Sequence, residues 1–101
     1  MARSVVWVQL AAADLETAAE FIARDSPSYA SVFVEETIDA SRSLRRLAER
    51  GRVVPEFDVP DLRELLVQNY RMIYRVEPNR VTIVALIHGR RDLISAWKER
   101  S

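Results

Sequence analysis

The sequence predicts an α+β fold, with a helical hairpin packed on a small, mostly antiparallel sheet. The expected order is β-α-α-β-β-β, closed by a short C-terminal helix or tail. Three observations carry this. Apolar residues recur at helical spacing through the first half of the chain. Three strand-like runs follow in the second half, separated by "QN" and "EPN", short turns that make neighbouring strands antiparallel. The 101 residues are 49% apolar with two glycines, which suits one packed domain over 1–101 and not a disordered chain.

"SVVWVQL", residues 4–10, is β-branched and aromatic and reads as the first strand. In "AAADLETAAEFIARD", 11–25, Leu15, Ala18, Ala19 and Ile22 fall on one helical face. Ser26-Pro27 marks the next helix start, because serine caps free N–H groups and proline at the first position loses no needed donor. That helix is expected over 27–50, about 35 Å long at ~1.5 Å per residue. Its apolar stripe is Val34, Ile38, Leu44, Leu47 and Ala48, weakened at Ser41. Gly51 reads as its stop, and Arg42, Arg45, Arg46 and Arg50 suit the negative end of the helix dipole.

"GRVVPEFDVPD", 51–61, has two prolines and reads as a loop with extended pieces. Strands follow at 61–67, 70–76 and 80–88. The last is apolar at both parities through Val84, Ala85, Leu86 and Ile87, so it should be central and buried on both sides. In "YRMIYRV", alternation puts Met72, Tyr74 and Val76 on the face under the helices. It puts Arg71, Ile73 and Arg75 on the opposite, more open face. His88 shares parity with Thr82, Val84 and Leu86.

Composition excludes several chemistries. There is no cysteine, so no disulfide or thiolate is available, which fits a reducing cytoplasm. With one histidine, no zinc site forms, and the acids lack calcium-loop spacing. Two glycines make no phosphate-binding loop, and no cofactor is expected. The first apolar stretch is too short for a membrane span and does not read as a signal peptide. Net charge is zero but uneven. Residues 1–39 carry two bases and seven acids, and 40–101 carry thirteen bases and eight acids. Fourteen of the fifteen bases are arginine, whose flat donor fork suits carboxylates and phosphates. The basic half suits an acidic protein partner as well as a nucleic acid.

The candidate residues are therefore Arg63, Arg71, Arg75, His88, Arg90, Arg91 and Trp97. Each has a plain structural reading: solvated strand arginines, a strand-end histidine with no triad partners, and a tryptophan docking a terminal helix on the sheet.

Four stretches carry a resemblance: "ADLETAAEFIARDSP" (13–27), "GRVVPE" (51–56), "RELLVQNYRMIYRV" (63–76) and "VALIHGRRDL" (84–93). In this order they resemble the RelE/ParE superfamily of bacterial toxins, closest to its ParE-like, plasmid-stabilisation branch. The resemblance spans nearly the whole chain and implies the fold read above. RelE-like members are ribosome-dependent messenger endoribonucleases, whereas ParE-like members inhibit DNA gyrase. A ribonuclease reading would use Arg63, Arg71, His88 and Arg90. Arg71 matches the nuclease "YR" arginine, and Arg90 the arginine after the last strand. Arg63 falls where one of two lysines is expected, while the second lysine position holds Leu65 or Glu64. The tyrosine position falls on Ala96, and the neighbouring Trp97 cannot exchange a proton. His88 is the one side chain nearby of a type that could take that role, but it precedes the arginine instead of following it.

The resemblance thus implies a ParE-like toxin that acts by binding, with no catalytic residue. The implied partners are a ParD-like antitoxin, with a ribbon-helix-helix domain that alone contacts operator DNA, and gyrase as the target. Arg63, Arg71, Arg75 and Arg90 would suit an acidic-hydrophobic antitoxin tail that folds on binding. The competing readings are a RelE-like endoribonuclease and a non-toxic antitoxin-binding co-repressor module.

Overall fold

The computed structural model describes residues 2–100. It contains β1 (Ser4–Trp7), α1 (Gln9–Ala23), α2 (Pro27–Ser43), β2 (Arg52–Val53), β3 (Leu62–Val67), β4 (Tyr70–Val76), β5 (Arg80–His88) and α3 (Leu93–Glu99). The five strands form one sheet in the order β1-β5-β4-β3-β2. β1 runs parallel to β5, and the other three pairings are antiparallel. The α+β class and the hairpin on a mostly antiparallel sheet are as expected.

The elements differ from expectation where packing overrides local pattern. β1 ends at Trp7 and α1 begins at Gln9, because the alanine-rich run is strongly helical and Ala11 is fully buried. Ser26 caps α2 as expected, its side chain accepting from the Tyr29 N–H. The helix ends at Ser43, not near 50, so it is about 25 Å long at ~1.5 Å per residue. Leu44 and Ala48 are instead turned into the core by the irregular segment that follows. The inward stripe of α2 is Ala30, Phe33, Thr37 and Ser41, and Leu47 is exposed. The two hydroxyls tolerate burial because Thr37 donates to the Phe33 carbonyl at 2.8 Å and Ser41 to Ile38 at 2.7 Å.

Gly51 does not stop the helix. A Cβ there would lie 2.4 Å from the Glu64 carbonyl oxygen and 2.5 Å from the Tyr74 hydroxyl. Glycine is needed for this close approach, which lets Arg52–Val53 pair with β3.

The sheet is covered on both faces. The helical hairpin packs over Met72, Tyr74, Val81, Ile83 and Leu86, with Phe33 and Leu44 among the residues above them. On the other face, Val54, Leu62, Ile73, Ala85 and Ile87 meet Leu93 and Ala96 of α3. The face carrying Arg71, Ile73 and Arg75 is therefore not the open one expected. It is roofed by the segment around Val54–Phe57 and by α3. β5 is interior and buried on both sides, as expected, but β4 is the middle strand.

A register shift between β4 and β5 has a further effect. Ile73 pairs with Ala85 but Tyr74 pairs with Ile83, so Val84 is an extra residue. Strand parity reverses across it. Val81 and Ile83 face the hairpin before the bulge, and Leu86 faces it after. His88 therefore lies on the face opposite Thr82, although the two share sequence parity.

Candidate functional site

The seven candidate residues divide between the two faces and one end of the sheet. Arg71 lies on the α3 side of β4 and is 7% exposed. Its Nε donates to Glu64 Oε1 at 2.5 Å, and its two terminal nitrogens each donate to Glu56 at 2.7 Å in a bidentate fork. Glu64 is buried on β3 and accepts a second bond at 2.6 Å from Arg52. Arg71, Arg52, Glu56 and Glu64 thus form a charge-neutral quartet. The Arg71 fork holds the Glu56 carboxyl down at about 2, against the desolvation that opposes it. Glu56 likewise raises the Arg71 pKa. With both edges of its guanidinium engaged by carboxylates, Arg71 can meet a phosphate only if Glu56 moves away.

Arg63 lies on the other face of the sheet. Its neighbours in strand parity, Leu65 and Val67, pack under the helical hairpin. Its guanidinium donates to the backbone carbonyls of Gly51 at 3.0 Å and Glu49 at 3.4 Å. It holds the bend after α2 in place. Arg63 and Arg71 therefore make no common site, although both were expected to contribute to one.

Arg75 shares the face of Arg71 but is exposed. His88, Arg90 and Arg91 gather where β5 ends. The His88 ring lies edge-on to Tyr70 at 5.1 Å, and its Nδ1 accepts from the Arg90 N–H at 3.1 Å. Gly89 N–H donates to the Asn69 carbonyl at 2.7 Å, joining this turn to the β3–β4 turn. Arg90 is exposed there beside Leu66, Gln68 and Asn69 in an open hollow. Arg91 pairs with Glu99 of α3 at 2.9 Å. A groove of about 340 Å³ runs between α1 and the end of β5, lined by Asp14, Phe21, Tyr70, Leu86, His88 and Arg91 among others. Burial raises the Tyr70 pKa.

Trp97 packs its ring on Phe57 at 5.1 Å, on the α3 side of the sheet. Ala96 is buried in the same cluster. The position where the nucleases carry a tyrosine thus faces the core and not a cleft. Among the described residues, no group of three or more His, Cys, Asp or Glu side chains could hold a metal ion.

Sequence reasoning missed Glu56 and Glu64 as the partners of Arg71. It also missed Asp14 and Arg100, which close the bulged stretch of β5. Asp14 accepts from the Leu86 N–H at 3.0 Å, and Arg100 donates to the Val84 carbonyl at 2.8 Å and pairs with Asp14 at 3.0 Å. The only signal for the first pair was Glu64 standing where a nuclease lysine is expected. Nothing local pointed to the second, whose members lie at opposite ends of the chain.

The sequence matches the family model described as "ParE toxin of type II toxin-antitoxin system, parDE" over residues 5–93. Among solved structures, it is similar to a chain of the "Chromosomal ParDE TA system from P. aeruginosa", with 24% identity and a TM-score of 0.70. The match covers 85% of this chain and 95% of that one, and at this identity it speaks for the fold. No curated protein matches the chain.

Proposed function

The chain belongs to the ParE family of type II toxin–antitoxin toxins, and on that premise we propose that it inhibits DNA gyrase by binding. In this reading it has no catalysis of its own and is neutralised by a cognate ParD-like antitoxin. That antitoxin would carry a ribbon-helix-helix domain and would alone contact operator DNA. In the same reading its site of action is the cytoplasm, where gyrase works. No helix of the described residues is long and apolar enough to cross a membrane.

The observation that carries the non-enzymatic reading is the state of Arg71. A nuclease of this fold needs that guanidinium free for the scissile phosphate. Here Glu56 and Glu64 hold it, nine-tenths buried. Ala96 supplies no acid or base, and Arg63 stands on the far face of the sheet. The residues left accessible for a partner are Arg75, His88, Arg90 and Arg91, with exposed Phe21 and Leu66 beside the β5 end. Arg63, Arg71 and Trp97 act on partners through the surfaces they hold in shape.

The test is induction in bacterial cells together with a supercoiling assay on purified gyrase. Filamentation, a DNA-damage response and gyrase-dependent DNA breaks are expected. Arg90→Ala, which removes an exposed guanidinium with no partner among the described residues, should weaken toxicity more than Arg24→Ala. Codon-phased messenger cleavage with intact DNA would transfer the chain to the endoribonucleases. No growth effect, with antitoxin still bound, would leave the co-repressor role.

A further inference from the structure

β1 is an edge strand, and its outer rim is open. The Ser4 N–H donates to the Asn79 carbonyl at 3.2 Å and the Val8 N–H to Ile83 at 3.1 Å, so the even-numbered residues face β5. Alternation turns the backbone groups of Arg3, Val5 and Trp7 outward. The Arg3 N–H meets the Arg45 carbonyl, beyond the end of α2, at 2.8 Å. Beyond that contact, Val5 and Trp7 border a cleft of about 440 Å³ between β1 and the last turns of α2.

The cleft has three properties that together describe an occupant. Its rim offers outward backbone groups of Val5 and Trp7, which only another extended chain can satisfy in register. Its floor is apolar, formed by Val5, Ile38 and the Trp7 indole, whose Nε1 donates to Ser41 Oγ at 3.4 Å. Its lip is basic. Arg42 is 73% exposed and only 4.0 Å from an equally exposed Asp39. Arg45 is exposed with no carboxylate partner among the described residues, and Arg46 beside it is the same.

A second copy of this chain would bring the same arginines to the rim, so self-pairing is opposed. Duplex DNA would use the arginines but neither the apolar floor nor the backbone rim. We propose that this cleft receives an extended acidic segment of the antitoxin, which adds a strand beside β1. Its carboxylates would meet Arg42 and Arg45, and an apolar side chain would lie against Trp7. This rests on the reading that the chain is neutralised by an antitoxin.

The test uses the full chain and a purified full-length cognate antitoxin. On mixing, the Val5 and Trp7 amides should become protected from hydrogen exchange. Arg42→Glu with Arg45→Glu should weaken the complex by roughly ten-fold or more, and Arg24→Glu by less than about two-fold. Val5→Pro removes an outward N–H without touching the β1–β5 ladder, and it should weaken binding while the fold is kept. A complex that leaves these amides unprotected, or is indifferent to both variants, overturns the docking site and leaves the antitoxin reading standing. No complex at all overturns both. Retardation of a 20-base-pair duplex that is lost in the charge-reversed variant, with antitoxin affinity unchanged, would make the cleft a nucleic-acid site instead.

Discussion

Arg71 on β4 and Glu64 on β3 are joined across the hairpin by a 2.5 Å bond, with side chains only 9% and 1% exposed. Neither residue could be buried alone, because an uncompensated charge in the core costs several kcal/mol. The pair is therefore a condition of the fold on this face. Any effect of Arg71 on toxicity passes first through stability.

Arg71→Ala should destabilise the protein by about 3–5 kcal/mol, since it strands Glu64 with Arg52 as its remaining cationic partner. Glu56→Ala should cost less, because the Glu56 side chain is 31% exposed. The double change Arg71→Met with Glu64→Leu should recover most of the loss. Urea denaturation of the three variants checks the order, and equal losses for Arg71→Ala and Glu56→Ala would count against a buried pair.

The Glu56 carboxyl has its folded-state value lowered from 4.5 to about 2. A depressed carboxylate contributes stability above its unfolded value, and that contribution is lost as pH falls through its folded value. Stability should therefore decline between about pH 4.5 and 2, and Glu56→Gln should flatten the decline. Denaturation curves at pH 6 and pH 3 measure it. An unchanged slope in the variant would assign the acid loss elsewhere, with Glu77, also lowered to about 2 beside Arg80, the first candidate.

Gly51 and Tyr74 form a second obligatory contact, in which the Gly51 N–H donates to the buried Tyr74 hydroxyl at 2.9 Å. Tyr74→Phe should cost about 1–3 kcal/mol by leaving that N–H unsatisfied. Gly51→Ala should cost at least about 1–3 kcal/mol through overpacking. Combining the two should not rescue Gly51→Ala, because the Glu64 carbonyl still blocks the new methyl. Thermal melts of the single and double variants decide the matter.

Asp14 and Arg100 satisfy the Leu86 N–H and the Val84 carbonyl, where β5 runs past the end of β1. Asp14→Ala should speed hydrogen exchange at Leu86 while leaving Val81 protected. Arg100→Ala should lower stability by about 1.5–3 kcal/mol, the usual loss for a hydrogen bond made by a charged group. Uniform exchange changes along β5 would mean that the strand opens as a unit and that the clamp is not local.

Much of the architecture was legible because it is local. Ser26-Pro27 announces a helix start whatever surrounds it, and the two-residue period of a strand sorts "YRMIYRV" into its two faces without reference to any neighbour. The ends of β4 and β5 follow from the same periodicity. The candidate site was less legible. The sequence carries its residue types, including the alanine at 96 where the resemblance expects a tyrosine. It does not carry which residues meet.

By itself, then, the sequence determined the α+β class, the hairpin start, the faces of β4 and the alanine at 96 where the resemblance expects a tyrosine. Only the tertiary structure decided that α2 stops at Ser43, that β1 runs parallel to β5, and that one extra residue at Val84 turns His88 to the face opposite Thr82. It also decided that Arg63 and Arg71 stand on opposite sides of the sheet, with Arg71 closed off by Glu56 and Glu64. The reason is physical. Helix caps and strand parity depend on bonds between near neighbours. Register, face coverage and charge pairing depend on contacts between segments far apart in the chain, and a loop around Glu56 that folds over an arginine leaves no periodic trace.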